Sequence, residues 1–335
     1  MHIPDNYLSP QTCAVLFTAA VPVIALSLKK VKIQIAEKKE TVPMLGISAS
    51  LSFLIMMFNV PIPGGTTAHA VGATLLAILI GPYAACLAVT MALVMQAFLF
   101  GDGGILALGA NIINMACIMP FIGYGLYRLA QQWHHEKLGV ILGAYVGINM
   151  AALVASIELG LQPLVAHNAA GQPLYAPYPL HMTIPAMLFG HLLIAGWVEA
   201  GVTFAVYQFV QRVAPTELYT PKQLTPDLQK SHQLRHYCYG GLGLLAILSP
   251  LGLLAHGTAW GEWDAAQLLA QLKRAHLGQK LPTGMAHGLH FNALFSDYAI
   301  HGLPVSIGYI LSALTALLIC YLLGKLVISH DTNRA

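Results

Sequence analysis

Long apolar runs separated by short polar stretches dominate this chain. A bilayer core of roughly 30 Å is crossed by about 20 apolar residues in a helix. On that basis the pattern predicts nine membrane spans, near residues 11–28, 43–60, 70–82, 84–100, 105–128, 138–160, 183–210, 239–256 and 303–327. The third and fourth spans are one apolar run interrupted at Gly81-Pro82-Tyr83, where the proline predicts a tight hairpin or a kink. The predicted fold class is an all-α polytopic membrane protein.

The composition leads to the same class. The 335 residues are 57% hydrophobic and 9% charged, with a mean hydropathy of +0.67, whereas roughly 25% of the residues of a soluble domain are charged. A net charge of +3 does not indicate a nucleic-acid partner. The five cysteines are scattered singly and form no CxxC motif, which argues against disulfides and against a zinc site.

The lysine and arginine positions predict the orientation, because cytoplasmic loops of membrane proteins carry an excess of these residues. With the amino terminus outside, 13 of the 16 basic residues lie inside. The other three, Lys273, Arg274 and Lys280, lie in one long outer segment, residues 257–302. We therefore predict that the amino terminus is outside and the carboxyl terminus inside.

The chain opens with MHIPDNYLSP, which lacks both the basic n-region and the small-residue cleavage site of a signal peptide. We expect Met1 to be retained, because the bulky His2 should block removal of the initiator methionine. The Met1 amine and the His2 amide nitrogen can close a five-membered chelate ring around a metal ion. The same amide nitrogen and Nδ1 of His2 can close a six-membered ring, so three nitrogens lie in one plane once the amide is deprotonated.

A second histidine, His69, lies in the loop over residues 60–75, which the predicted topology places on the same face as Met1. Its imidazole would complete a square of four nitrogens. This arrangement favours Ni(II) or Cu(II), is less strictly required by Co(II), and suits Mg²⁺ poorly. Spacing alone leaves a structural alternative to metal binding for each histidine. His2 would then be a frayed terminal residue, and His69 would be a hydrogen-bonding residue of its loop.

Four stretches of the sequence resemble one known family. MHIPDNYLSP, NVPIPGGTTAHAVGATLLAILIGPYAACLAV, LFGDGGILALGANIINMA and HLLIAGWVEAGVTFAV resemble, in this order, blocks of the substrate-binding membrane component of energy-coupling-factor cobalt/nickel transporters, the CbiM/NikM family. The resemblance covers roughly residues 1–210. It implies a Ni²⁺ or Co²⁺ site formed by the Met1 amine, the His2 amide nitrogen and ring, and the His69 ring. It also implies a membrane scaffold (the T component) and separate ATPase subunits as partners.

Two positions depart from the family pattern, because Asn6 and Ala68 stand where the family often has glycine. Asparagine tolerates left-handed backbone better than most residues, and Ala68 would matter only if its position requires a positive φ. Neither position supplies a predicted ligand.

The carboxyl-terminal part resembles an extension of long family members, through SPLGLLAHGTAWGEWDAAQL and the last span. Two spans around an outer segment are also similar to the small accessory component of these systems. We therefore divide the chain into a metal-binding membrane domain (residues 1–212), a cytoplasmic linker (213–238) and a two-span extension (239–335).

Three further polar residues are candidates for an orienting role or for the ion path. Asp102 lies in the Gly101–Gly104 loop and either orients a ligand imidazole or caps the following helix, and capping is the favoured interpretation. His191 and Glu199 lie eight residues apart, on roughly one helix face. They form either a packing contact or part of a metal path.

The remaining polar residues suggest structural roles. Asn111 and Asn114 predict helix-to-helix hydrogen bonds, and Glu158, near an outer helix end, is expected to be hydrated. The His-His-Glu stretch at residues 134–136 is predicted to be a solvated loop on the inner side. Four histidines of the extension could gather incoming ions weakly: His256, His276, His287 and His290.

Missing motifs limit the possible functions. The chain contains no GxxxxGK[ST] stretch for ATP hydrolysis and no HExxH or GxSxG stretch. The prediction is a non-enzymatic, substrate-specific component of an ATP-driven Ni²⁺/Co²⁺ uptake system in the inner cell membrane. One alternative is an ion- or proton-coupled secondary transporter that uses His191 and Glu199 as its relay. The other is an intramembrane metalloenzyme, which would need an open coordination position.

Overall fold

The computed structural model of the protein describes residues 1–38, 40–63, 65–219 and 228–332. Thirteen α-helices lie within these ranges: α1 (Pro10–Glu37), α2 (Thr41–Met56), α3 (Ala73–Ile80), α4 (Pro82–Met95), α5 (Leu108–Asn111), α6 (Met119–Gln132), α7 (Glu136–Val165), α8 (Leu180–Gly190), α9 (Gly196–Val213), α10 (Leu228–Leu248), α11 (Ala265–Arg274), α12 (Thr283–Ala286) and α13 (Val305–Thr332). Residues 220–227 of the predicted linker, and three basic residues predicted to be inside (Lys39, Lys222 and Arg334), lie outside the described residues.

Seven helical segments of the described chain are long and apolar enough to cross a membrane: Pro10–Glu37, Pro82–Phe100, Leu108–Gln132, Glu136–Val165, Leu180–Val213, Leu234–Leu254 and Val305–Leu323. Two other predicted spans are shorter. Helix α2 has 16 residues and α3 has 8, and 8 residues extend only about 12 Å. The helical multi-pass class is confirmed, whereas the count of nine spans and the orientation remain predictions.

Helix α3 lies in the interior of the bundle in spite of its length. Seven of its eight residues are buried, and it packs against α4, α6 and α9. It ends at Gly81, whose φ of +90° suits glycine, and Pro82 is the first residue of α4. The predicted break in this apolar run is therefore a sharp turn between two helices. By contrast, α1 exposes apolar side chains such as Phe17, as expected for a lipid-facing helix.

A two-stranded hairpin precedes α3 and was not expected from the sequence. Strand β1 (Val60–Ile62) pairs antiparallel with β2 (Thr66–Ala68), with Val60 opposite Ala68. Prolines at 61 and 63 argue against a strand in the interior of a sheet. Both strands of an isolated hairpin are edge strands, so Pro61 is tolerated in β1. His69 is the first residue after β2, so the hairpin determines where His69 lies.

Within the described residues, three π-helical segments interrupt the bundle, at Gln96–Phe100, Ile112–Ile118 and His191–Ala195. Such widened turns occur frequently at functional sites. Gln96 and His191 begin two of these segments, and Asn111 immediately precedes the third. As the contacts below show, each of these three side chains lies beside the first three residues of the chain.

Candidate metal site

The amino-terminal segment is buried at one end of the bundle, which we call the outer face. Met1, His2 and Ile3 are at most 3% exposed. The side-chain amide of Asn111 binds both backbone groups of Ile3, accepting from its N–H at 2.8 Å and donating to its carbonyl at 3.1 Å. The N–H of Gly104 donates to the same carbonyl at 2.9 Å. The terminus is therefore not frayed, and Asn111 binds this segment rather than another helix, contrary to the prediction.

The residues after Ile3 complete this anchoring. The Asp5 carboxylate accepts hydrogen bonds from the backbone N–H groups of Ile105 and Leu106, at 3.1 and 2.8 Å. Asn6 has a φ of +69°, which is the left-handed conformation that asparagine tolerates. Ser9 then caps α1, accepting from the N–H of Thr12. The segment reaches α1 along one fixed path.

The rings of His2 and His69 face each other inside this buried region. His69 Nδ1 lies 3.0 Å from the carbonyl oxygen of Ala70, so Nδ1 carries the proton and Nε2 a lone pair. His2 Nε2 lies 3.3 Å from Oε1 of Gln96, which leaves the lone pair of His2 on Nδ1. These two lone pairs, on His2 Nδ1 and His69 Nε2, are 3.2 Å apart. Two acceptors at this distance repel unless a proton or a metal cation lies between them.

The spacing of these nitrogens matches a square of ligands. Metal–nitrogen bonds of about 2.0–2.1 Å place adjacent corners of a square about 2.8–3.0 Å apart, close to the observed 3.2 Å. The amide nitrogen of His2 donates no hydrogen bond within the described residues, so it is available as a ligand. Among all the residues that the structure describes, no group of three or more His, Cys, Asp or Glu side chains could hold a metal ion. A metal site at this position therefore requires backbone nitrogens.

The electrostatic environment keeps His69 neutral. Burial lowers the pKa of His69 well below its ordinary value of 6.5, and the nearby Met1 amine and His2 ring lower it further. A neutral imidazole is the form that binds a metal. The Met1 amine itself forms an ion pair with Glu262 of the outer segment, at 2.7 Å.

Glu199 supports the loop that carries His69. Its carboxylate accepts from the backbone N–H groups of Val71 and Gly72 at 2.8–3.1 Å, at the amino-terminal end of α3. His191 Nδ1 instead lies 2.7 Å from the carbonyl of Met187. The two side chains therefore bind different partners, and the described residues show no hydrogen bond between His191 and Glu199.

His191 lies beside the amino terminus. It is 4% exposed, and its Nε2 has no hydrogen-bond partner within the described residues. Because Nδ1 faces the Met187 carbonyl, Nε2 carries the lone pair. His191 and Met1 line a common cavity of about 10 Å³, which has room for roughly one water molecule. A role for His191 in the ion path stays a prediction.

Asp102 belongs to the hydrogen-bond network around His2, and the favoured prediction of a helix cap is wrong. Its Oδ2 accepts from the hydroxyl of Tyr298 and from Nε2 of Gln96, the latter at 3.3 Å. Its Oδ1 lies 3.5 Å from Nδ1 of His2. The next helix, α5, has Ala107 at its cap position and no side-chain cap. The alternative interpretation, an orienting role beside a ligand imidazole, agrees with these contacts.

The outer segment covers this region and contributes two groups that the sequence did not reveal. Glu262 binds the Met1 amine, and Tyr298 binds Asp102. Asn6 exchanges two 2.8 Å hydrogen bonds with the backbone of Leu289. Between 196 and 283 residues separate these partners along the chain, so no local pattern pairs them. Gln96 was also missed, although a polar residue inside an apolar span is a signal for function.

The other polar candidates lie apart from this region. Asn114 donates to Glu158 across two helices at 2.7 Å, as predicted for Asn114. Glu158 is buried, so its expected hydration is wrong. The exposed side chains of His134 and His135 agree with a solvated loop. The four histidines of the extension are also exposed: His256, His276, His287 and His290.

Known proteins resemble the chain over both of its parts. Residues 2–217 match the CbiM family, described as the cobalt uptake substrate-specific transmembrane region, and residues 235–330 match the PDGLE domain. The chain is 63% identical to the probable fused nickel transport protein LarMN of Lactiplantibacillus plantarum, over 99% of each chain. It is 43% identical to the fused nickel transport protein NikMN of Rhodobacter capsulatus, over 94% of this chain and 93% of that one. A crystal structure of a transition metal transporter is 58% identical, with a TM-score of 0.60, and covers 64% of this chain and 93% of its own.

Proposed function

Because the chain belongs to the family of cobalt-uptake substrate-specific transmembrane proteins, we propose that it is the ion-capturing component of an uptake system for Ni²⁺ or Co²⁺. It is a multi-pass membrane transport component rather than an enzyme. Both full-length relatives described above are named nickel transport proteins, so Ni²⁺ is the first ion to test.

The proposed site has four nitrogen ligands: the Met1 amine, the His2 amide nitrogen, His2 Nδ1 and His69 Nε2. The observation that carries the proposal is the pair of facing lone pairs on His2 and His69, 3.2 Å apart in a buried region. On each ring the other nitrogen faces an acceptor, which leaves the nitrogen nearest the other ring for the metal. Capture would remove the Met1 amine from its ion pair with Glu262, because the amine must lose a proton to bind a metal.

The test uses the position of the amine. We would compare the protein with a native Met1 to a variant that carries two uncleaved residues before Met1, with isothermal titration of Ni²⁺ and of Co²⁺ in competition. Displacing the amine should lower Ni²⁺ affinity on the order of 100-fold or more, because one chelate ring can no longer close. The same two residues added at the carboxyl terminus serve as the control. Equal affinity of the two amino-terminal forms would refute the site.

Because the chain has no phosphate-binding loop for ATP, ATP-driven uptake would draw its energy from other subunits. We infer that a membrane scaffold (the T component) and ATPase subunits complete the transporter in the inner cell membrane. Reconstitution in liposomes tests this: uptake should require ATP and the other subunits. Uptake by this chain alone under an ion gradient would favour the secondary transporter. The separate partners of His191 and Glu199 argue against that alternative.

Two further expectations belong to the same proposal. The metalloenzyme alternative is disfavoured, because the relatives at 63% and 43% identity are both named transport proteins. In the proposed arrangement residues 1–212 capture the ion, residues 213–238 form a cytoplasmic linker, and residues 239–335 replace a separate accessory subunit.

Accessibility labelling of single cysteines introduced at residues 37 and 276 would test the orientation. Only the cysteine at residue 276 is expected to react from outside.

A further inference from the structure

The carboxylate of Asp102 lies within reach of the proposed metal position. Its Oδ1 is 3.5 Å from Nδ1 of His2. For bond lengths of about 2 Å, an oxygen above a square of ligands lies about 3 Å from each ligand nitrogen. A small movement of Asp102 would therefore add an oxygen as a fifth ligand.

Two donors hold this carboxylate by its other oxygen. The Tyr298 hydroxyl donates to Oδ2 of Asp102, and Nε2 of Gln96 donates to the same atom at 3.3 Å. Nε2 of Gln96 also lies 3.3 Å from the Tyr298 hydroxyl, so the three side chains form a closed triangle. Gln96 in turn accepts from His2 through Oε1. The carboxylate is thus held through Oδ2, whereas Oδ1 is the oxygen near His2.

Packing and burial hold the Tyr298 side chain in one position. It is buried, its ring stacks on Phe100 with centroids 5.0 Å apart, and it contacts Tyr309 at 5.3 Å. Asp297 and Tyr298 both have positive φ, 54° and 59°. This conformation is disfavoured for a bulky residue, and such outliers often mark functional positions. Burial and the Asp102 carboxylate raise the pKa of Tyr298 well above 10.0, so the hydroxyl remains a donor.

We propose that Tyr298, supplied by the carboxyl-terminal extension, determines ion specificity by holding the Asp102 carboxylate outside the metal coordination sphere. The site then offers four nitrogens in a plane, which suits Ni(II) better than Co(II). Release of Asp102 would add an oxygen ligand and favour ions that accept five or more ligands. This inference rests on the four-nitrogen site of the proposed function.

The experiment compares the full chain, with native Met1, as wild type, Tyr298→Phe, and the double variant Tyr298→Phe/Asp102→Asn. Competition titrations give the ratio of Ni²⁺ to Co²⁺ affinity, and X-ray absorption of the Ni²⁺-loaded protein reports square-planar or higher coordination. We expect Tyr298→Phe to lower the Ni²⁺:Co²⁺ ratio about tenfold and to remove the square-planar edge feature. The double variant should restore both, because the amide of asparagine is a weaker ligand than the carboxylate.

Two controls separate this effect from a general loosening. Tyr309→Phe removes another buried hydroxyl of the same aromatic cluster and should leave the ratio and the spectrum unchanged. Asp102→Glu lengthens the carboxylate while Tyr298 remains, and should shift both readouts in the direction of Tyr298→Phe. It therefore tests the proposal even if Tyr298→Phe fails to fold.

Specific outcomes overturn the inference. A wild-type ratio and spectrum in Tyr298→Phe contradict it, as does an equal shift in the single and double variants. The proposed function fails differently: wild-type protein would then bind Ni²⁺ independently of its amino terminus, or not at all. If wild-type binding depends on a free Met1 while Tyr298→Phe has no effect, only the role of Tyr298 is excluded.

Discussion

The histidines of the outer face fall into two groups that the sequence alone does not separate. His2 and His69 are buried, and an acceptor fixes the tautomer of each ring. The histidines of the outer segment, such as His276 and His290, are exposed. The number of histidines is therefore a poor guide to metal binding. Burial, which removes competing water, and the partner of the second ring nitrogen decide which histidines can act as ligands.

The largest expected difference between the two groups comes from removing one ring of the buried pair. His69→Ala should lower Ni²⁺ affinity on the order of 100-fold, or about 2.8 kcal/mol, because one of the four proposed ligands is lost. Isothermal titration with native Met1 measures the change. His287→Ala, on the exposed outer segment, is the matched control and should bind as wild type. Near wild-type binding by His69→Ala would exclude His69 as a main ligand.

A smaller effect is expected when a ligand's support is removed. Asn111→Ala leaves the buried N–H and carbonyl of Ile3 without this partner. We expect roughly a tenfold loss of Ni²⁺ affinity and about 1–3 kcal/mol of stability. Asn114→Ala, three residues away and bonded to Glu158, should destabilise the protein without changing metal affinity. If both variants lose Ni²⁺ affinity equally, the hydrogen bonds between Asn111 and Ile3 have no specific role in metal binding.

The pH dependence sharpens the contrast between buried and exposed rings. The lowered pKa of His69 means that the unfolded chain binds more protons at this residue than the folded protein does. Stability of the metal-free protein should therefore fall as the pH decreases below 6.5. Thermal unfolding of wild type and His69→Gln would measure the difference. An identical pH dependence in both would contradict a neutral buried His69.

The smallest effect is expected from the exposed group. Replacement of His256, His276, His287 and His290 by glutamine should leave Ni²⁺ affinity unchanged, because these rings lie outside the proposed site. Uptake at limiting Ni²⁺ by the reconstituted transporter tests the remaining hypothesis that they gather incoming ions. Slower uptake with unchanged affinity would support that hypothesis.

Most of the helical architecture could be predicted from the sequence, because each span is a continuous apolar run that needs no knowledge of its neighbours. The break at Gly81-Pro82 was equally local. The β1–β2 hairpin was missed because the effect of Pro61 depends on whether a strand is at an edge. Helix α3 was read as a span because hydropathy reports burial in protein and in lipid alike.

The amino-terminal sequence by itself predicted the ligands of the proposed site, because the chelate rings of Met1 and His2 depend only on adjacent covalent bonds. Only the tertiary structure decided that His69 faces them, that Asn111 holds the segment, and that Glu262 and Tyr298 of the distant extension contact the amine and Asp102. These contacts join residues far apart in the chain. Whether such side chains meet depends on helix packing, which no single stretch of sequence encodes.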